Sequence, residues 1–468
     1  MKKLNIYKAV LILGIPFLFQ SCFVAKDYNR SEDVIPNENL FRTDELPQDS
    51  LSMAAVSWKE LFTDPVLGFY IEKGLQHNLD VRIALQQIIA AEAYVKQGKA
   101  GFLPTLDVGA RVANQQNAEN SQIFQGAISS NTIYEIAANA SWEADIWGKI
   151  RSNSRAFNAS YLQSIAAHQT IKTRLIADIA TTYYQLLALD EQRLVTIETI
   201  DTRKEALETT IALKDAGNLT EVGVKQTEAQ LYTAKALLLD IENQIRLQEN
   251  TLSILLGEAP QGKQRTSLDE QEITTELNIG FPANLLKNRP DLKEAEYNLI
   301  NAFELTNVAR ANFYPSLQLT ASGGLQSLDV EKLFDVNSLF SSLVGSLAQP
   351  ILNKRRIRTE FEVSKARQEQ AKLNFQSTLL NAGKEVSDAL YSYKYNTEKI
   401  EAKTMEFQAY TDATRYSEEL LDNGLVNYLE VIISRQNSLN SQLSLIDARF
   451  NQLAAVVELY RALGGGWK

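Results

Sequence analysis

Residues 149–216 read KIRSNSRAFNASYLQSIAAHQTIKTRLIADIATTYYQLLALDEQRLVTIETIDTRKEALETTIALKDA, with neither glycine nor proline. Without either helix breaker the stretch predicts one helix, and at ~1.5 Å per residue it would run roughly 100 Å. A rod of that length does not fit inside a compact core. Its apolar residues recur at three or four positions, through Ile176, Ile179, Tyr183, Leu186, Ile197, Ile200, Leu207 and Ile211, but Asp190, Arg193 and Lys204 break the stripe. Ala156, Ala159, Ala166, Ala167, Ala177 and Ala180 add small side chains that let neighbouring helices approach closely. This fits the wall of a hollow helical assembly, with a long dimeric coiled coil as the competing account.

The pattern outside the rod decides between them, because it occurs twice. Asp80-Val81 aligns with Asp291-Leu292, and Lys99-Ala100-Gly101-Phe102-Leu103-Pro104 with Arg310-Ala311-Asn312-Phe313-Tyr314-Pro315, at an offset of 211 residues. Ile150-Arg151-Ser152 aligns with Ile357-Arg358-Thr359, Gly217 with Gly424, and Leu256-Gly257 with Leu463-Gly464, at an offset of 207. The difference falls between each proline and the start of each long helix, so the helical parts keep their lengths. Each repeat reads helix, variable insert, long helix, glycine break, helix. Residues 64–102 and 220–256 are half-length, so two such helices end to end would match the uninterrupted rod beside them.

Ten prolines in 468 residues and a net charge of −10 describe an ordered chain without a basic nucleic-acid footprint. One cysteine excludes intrachain disulfides. Two separated histidines, His77 and His168, argue against a metal or histidine-based catalytic centre, and no phosphate loop or paired catalytic acids are present, so neither an enzyme nor a cofactor is expected. Residues 1–21 form an export signal: Lys2, Lys3 and Lys8 precede an apolar run at 9–19 that is too short to span a bilayer. Leu18-Phe19-Gln20-Ser21-Cys22 resembles a lipobox, with Phe19 and Gln20 departing from its commonest residues, and makes Cys22 the candidate acylation site. Residues 22–57 read as an extended, lipid-anchored strap. Asp64-Pro65 then suits a helix start, since aspartate caps and proline fits the first turn.

After Pro104 the period changes to two. Leu106, Val108, Ala110 and Val112 alternate with more polar or smaller neighbours, as do Tyr134, Ile136, Ala138, Ala140 and Trp142. The second repeat does the same through Leu317, Leu319 and Ala321. Strands are expected at about 104–117, 132–144, 315–324 and 339–349, with loops at 114–131 and 326–337. One apolar side and one polar side, over about ten residues, match lipid-facing barrel strands. Four strands cannot close a barrel, and an open edge cannot sit in lipid, so copies of the chain must supply the rest. Three copies would give twelve strands. Lys149, Arg151, Lys354, Arg355, Arg356 and Arg358 lie where strands hand over to helices, where they would meet lipid phosphates or simply solvate helix starts.

Residues 142–152 (WEADIWGKIRS), 288–296 (NRPDLKEAE), 309–315 (ARANFYP), 349–352 (QPIL) and 459–467 (LYRALGGGW) resemble the lipoprotein branch of the TolC-like outer-membrane factors, from about Val56 onward. The resemblance implies a membrane α+β protein: a homotrimeric outer-membrane β-barrel, four strands per chain and twelve in total, continuous with a long periplasmic α-helical barrel. It divides the chain into repeat 1 at 58–257, a linker at 258–282 in the belt around the tunnel, and repeat 2 at 283–468. The implied function is a passive exit duct of a tripartite efflux pump. Its partners would be a periplasmic membrane-fusion adaptor and an inner-membrane transporter of the RND type, or of the ABC or MFS type. An outer-membrane component of type I protein secretion and a lipid-anchored helical scaffold that conducts nothing are the alternatives.

By the same resemblance the turns around Gly217 and Gly424, with Leu219, Leu425 and Val426, would dock the adaptor. Glycine is also what chain reversal after a helix needs. Members of the family place acidic residues early in the helix after the inner turn, facing a constriction. Glu430 matches the first of these positions, whereas Ile433 occupies the second, so half of an acidic gate is present. Asn427-Tyr428-Leu429-Glu430 equally fits an asparagine-led capping box, and Asn218-Leu219-Thr220-Glu221 repeats it.

Overall fold

The computed structural model describes residues 24–30, 40, 42, 53–116, 130–271 and 284–467. The signal segment, Cys22, most of the strap, residues 117–129 of the first loop and residues 272–282 of the linker lie outside the described residues. In chain order the elements are α1 (Trp58–Leu61), α2 (Pro65–His77), α3 (Leu79–Ala100), β1 (Thr105–Gln116), β2 (Ser130–Ala144), α4 (Lys149–Asp215), α5 (Glu221–Leu255), α6 (Asn284–Asn288), α7 (Pro290–Ala311), β3 (Ser316–Ser327), β4 (Leu339–Ala348), α8 (Arg356–Asp422) and α9 (Tyr428–Ala462). The rod that opened the sequence is α4, unbroken over 67 residues, and α8 has the same length.

Two boundaries differ from expectation. The half-length helix read over 64–102 is broken at Asn78, whose backbone is extended (ψ 132°). Its side chain explains the break: Oδ1 accepts from the N–H groups of Asp80 and Val81, capping α3, while Nδ2 donates to Leu255 O at 3.0 Å. Strand β3 runs three residues past its expected end, to Ser327, and keeps Gly323-Gly324 in its interior. Glycine is disfavoured in strands, but a Cβ on Gly324 would lie 2.0 Å from Ile136 O, so the close approach of β2 selects it. Between β3 and β4 the expected loop contains two 3₁₀ turns, at Val330–Lys332 and Val336–Ser338.

The chain forms two compact units. The first comprises Met1–Ser31, Ile88–Ser164 and Ala295–Phe375, and holds an antiparallel sheet in the order β1-β2-β3-β4. Trp142 Nε1 donates to Phe102 O at 2.9 Å, and Trp147 Nε1 to Pro315 O at 2.7 Å, so the end of β2 is pinned to both helix-to-strand corners. Asp145 caps α4 by accepting from the N–H groups of Ile150 and Arg151.

The second unit comprises Glu32–Gln87, Ile165–Glu294 and Gln376–Lys468. Its core is built on Leu67, Ile71, Ile176, Ile179, Tyr183, Leu186, Leu187, Leu252 and Leu256, all nearly inaccessible to solvent. Asp64 caps α2 through Val66 N–H at 2.7 Å, and its second oxygen accepts from Tyr183, Thr266 and Gln271. Burial acts to raise the Asp64 carboxyl, but those hydrogen bonds outweigh it and hold the group below the usual carboxylate range. At the far end of the sequence, buried Arg289 bridges Asp291 and Glu385 and donates to Ala462 O at 2.8 Å. Trp467 Nε1 donates to Asn288 O at 2.8 Å, so the NRPD and LGGGW motifs lock onto each other. No described helix is long and apolar enough to cross a membrane.

Candidate functional site

The sheet sorts its side chains by face. Residues directly opposite in an antiparallel pair point to the same side, and the register joins Leu106 to Ala140, Val108 to Ala138 and Ala110 to Ile136. It continues from Ile136 to Leu325, Ala140 to Ala321 and Trp142 to Leu319, then from Leu317 to Leu347, Ala321 to Leu343 and Leu325 to Leu339. One face is therefore dominated by leucine, valine, isoleucine and alanine, interrupted by Gly323, Ser341 and Gly345, with Tyr134 and Trp142 toward opposite ends of β2. The other carries Asp107, Arg111, Glu135, Asn139, Ser141, Glu143, Gln318, Thr320 and Gln326, together with Ile133, Ala137, Phe340 and Val344, so it is mostly polar, with Gln326 bonded to Glu135 and Gln318 to Ser141. The apolar face is uncovered: Leu106 is 70% exposed and Leu343 74%. Among the described residues, strands β1 and β4 each pair on one side only, so both edges are open.

The strand-to-helix cations are largely paired. Lys149 meets Glu143 at 3.0 Å, Arg151 meets Asp145 at 3.8 Å, and Arg355, Arg356 and Arg358 meet Glu362 or Glu360. Lys354 and Arg355 adopt left-handed backbone, with φ of 53° and 66°.

In the second unit α4 and α8 end in the same turn. Gly217 N–H bonds to Lys214 O and Asn218 N–H to Leu213 O; Gly424 N–H bonds to Leu421 O and Leu425 N–H to Leu420 O. The two glycines have φ of 82° and 70°. This double bond pattern satisfies the last helical carbonyls and requires the left-handed conformation that glycine adopts without strain. A Cβ at either position would touch nothing within 4 Å. Leu425 is 70% exposed, and Val426 is half-buried. Leu219 instead turns inward, onto a small core of Ala206, Tyr428 and Ile432.

Helix α9 is capped by Asn427, whose Oδ1 accepts from Leu429 N–H at 2.9 Å. The Glu430 carboxylate does not complete a capping box: it is exposed and has no hydrogen-bond partner among the described residues. Ile433, three positions along the same face, is 50% exposed, while Tyr428, Val431 and Ile432 face inward. Asn218 does not cap α5. At the offset that joins Gly217 to Gly424, Asn218 aligns with Leu425, both N–H groups closing the preceding helix, and Thr220 aligns with Asn427 and occupies the cap position without a side-chain bond.

The family described as outer membrane efflux protein matches residues 70–258 and again residues 281–465. The chain belongs to the outer membrane efflux protein family. The solvent efflux pump outer membrane protein SrpC of Pseudomonas putida is 29% identical over 422 residues, covering 90% of this chain and 89% of that protein. The cation efflux system protein CusC of Escherichia coli K12 is 24% identical over 450 residues, covering 95% and 96%. The structure of the outer-membrane channel OprN superposes with a TM-score of 0.87 at 23% identity, over 95% of this chain and 100% of that one. The efflux protein therefore has the TolC-like fold, rich in helix and with a small sheet.

Several residues that shape this efflux protein carried no local signal. Arg203, almost wholly buried, donates to Gln230 O and to Gln436 Oε1 at 2.8 Å, tying α4 to α5 and α9. Burial and the neighbouring Arg435 hold its pKa below the usual guanidinium value. Its partners are neutral and distant in sequence, so no charge pattern announces it. Gly324 could have been suspected from a tandem glycine inside an alternating run.

Proposed function

We propose that the efflux protein is the passive exit duct of a tripartite pump, built from three copies in the outer membrane. The observation that carries this is the sheet: one apolar face, one polar face, and two unpaired edges. An edge in lipid leaves backbone groups without partners, so β1 of one copy must pair with β4 of the next, and three copies close twelve strands. The apolar face then meets lipid and the polar face lines the lumen. A second copy is also called for by α5, where Tyr232, Leu239, Leu247 and Ile254 form an uncovered stripe spaced seven, eight and seven residues apart. Such a stripe suits packing against a helix of another copy, so that the long helices extend the duct as a periplasmic helical barrel.

The two halves are proposed to be copies of one unit, because α4 and α8 have 67 residues each, α5 and α9 35 each, and α3 and α7 22 each. Acylation of Cys22 would add a lipid anchor. The open turns at Gly217 and Gly424, with Leu425 and Val426 beside them, suit docking of a membrane-fusion adaptor that links the duct to an RND-type transporter. Glu430 is proposed to ring the inner constriction. Relatives at similar identity are named for a solvent and for cations, so the cargo is set by the transporter; their efflux names favour this reading over protein secretion.

Purified protein in a planar bilayer should show discrete conductance steps from a heat-resistant trimer. Ile136→Arg places a charge toward lipid, which costs roughly 2 to 4 kcal/mol per copy near the midplane and should abolish the trimer. Normal trimers from Ile136→Arg would reverse the face assignment, and the absence of conductance from intact trimers would favour a non-conducting scaffold.

A further inference from the structure

The first unit contains a buried polar network that the duct does not use. Glu296, Phe303, Asn307 and Arg310 lie on one stripe of α7, and each meets a residue of the segment 24–30, more than 260 positions away in sequence. Arg30 donates twice to Glu296, at 2.8 and 2.6 Å. Tyr28 packs edge-on against Phe303, with ring centroids 5.6 Å apart. Lys26 N–H donates to Asn307 Oδ1 at 3.2 Å, and Asn307 Nδ2 donates back to Lys26 O at 2.9 Å, as a neighbouring strand would. Arg310 donates to Val24 O at 3.1 Å.

Alternate residues of the segment thus meet successive positions of the helix, running in opposite directions. Fourteen residues of helix from 296 to 310 rise about 21 Å at ~1.5 Å each, and six extended residues from 30 to 24 span about 20 Å at ~3.4 Å each. The two repeats are commensurate over the whole contact. Other groups are fitted to the same segment. Gly148, at φ 75°, leaves room for Ala25, whose Cβ would lie 2.9 Å from an added one. Arg155 bridges Asp27 and the buried Glu304, which also accepts from Asn307.

Asn307 is 1% exposed and Glu304 3%. With the segment removed, Asn307 and the half-buried Arg310 would exchange its backbone partners for water, so the segment's contribution is the net gain of its hydrogen bonds and of the surface it covers. We propose that this stripe of α7 is a peptide-binding site, occupied by the chain's own residues 24–30, which dock as a separable ligand read at every second residue. The site binds an extended peptide of the pattern Val-x-x-x-Tyr-x-Arg, held at the third residue through its backbone alone, and its occupancy completes the first unit. The inference is independent of conduction and of lipid on Cys22.

The test uses the full chain with residues 24–30 replaced by a glycine-serine spacer of equal length, and a fluorescein-labelled peptide of residues 24–30. The peptide should bind this chain, a scrambled peptide at least tenfold more weakly, and Asn307→Leu in the spacer chain should abolish binding. A peptide that binds no better than its scramble overturns the proposal. Should the spacer chain fail to fold, trypsin digestion of the otherwise native chain decides. Asn307→Leu should speed cleavage after Lys26 about tenfold while cleavage elsewhere is unchanged, and Glu296→Gln should act mainly at Arg30. Equal rates in wild type and Asn307→Leu overturn it.

Discussion

Four long helices, α4, α5, α8 and α9, end in the same backbone turn, each with a glycine at positive φ, yet the turns differ in what surrounds them. A Cβ on Gly257 would lie 2.4 Å from His77 O, and one on Gly464 2.6 Å from the carbonyl carbon of Asn288. At Gly217 and Gly424 it would meet nothing within 4 Å. The conformational demand is common to all four; the packing demand belongs to two. At Gly217 and Gly424 no described residue crowds the glycine, so the outer surface of each turn is left uncovered there.

The largest expected effect separates the pairs directly. Gly464→Ala and Gly257→Ala combine left-handed strain of about 1 to 2 kcal/mol with overpacking of about 1 to 3 kcal/mol, for a loss of about 2 to 5 kcal/mol. Gly217→Ala and Gly424→Ala carry only the strain. Thermal unfolding of the four variants in detergent measures the gap. Equal losses at all four positions would break the comparison.

Acid sharpens it next. Glu258 follows the crowded turn, where burial acts to raise its carboxyl, but hydrogen bonds from Lys263, Lys73 and Gln261 prevail and hold it down to about 2. A carboxyl depressed in the folded state contributes stability that is present above its unfolded value, near 4.5, and is lost as pH falls toward about 2. Stability should therefore drop across that window in wild type, and Glu258→Gln should be less stable at neutral pH with a flatter acid limb. Denaturant titrations at pH 6, 4 and 3 check both. Parallel curves for wild type and variant would show that the ion pairs at the crowded turn do not hold it.

Much of this fold was legible because it is periodic. The rod, the doubled pattern and the alternating strands depend on repeats of 3.6 and 2 residues, which a sequence displays directly. What escaped was set by contacts between distant positions. Asn78 breaks a helix whose apolar period continues past it, because its amide serves two helices at once. Leu219, beside Gly217, is half-buried against Tyr428 and Ile432, a contact that its neighbours in sequence do not announce. The Asn-x-x-Glu spelling at Asn218 and Asn427 also misleads: the two asparagines sit two positions apart in the aligned repeats, so Asn427 caps α9 while Thr220 holds the equivalent position before α5. The expectation of an extended strap carries no sign that Asn307 and Arg310, more than 260 residues later, meet the backbone of Lys26 and Val24.

The smallest expected effect on stability lies at the open end, and it tests what an unoccupied position is for. Glu430 is exposed beside the open turn, and its carboxylate makes no capping bond, so Glu430→Gln should change stability by at most a few tenths of a kcal/mol. Three copies around a narrow axis would bring three carboxylates together, where they repel one another and attract cations. Multivalent cations should then block the open channel, Glu430→Gln should weaken that block and lower cation preference, and Ile433→Asp, which adds a second ring on the same face, should strengthen both. A residue that only favours the first turn of α9 through the helix dipole predicts the same small stability change but unaltered conduction. Single-channel recordings with and without a trivalent cation distinguish the two, and identical block in wild type and Glu430→Gln would remove Glu430 from the constriction.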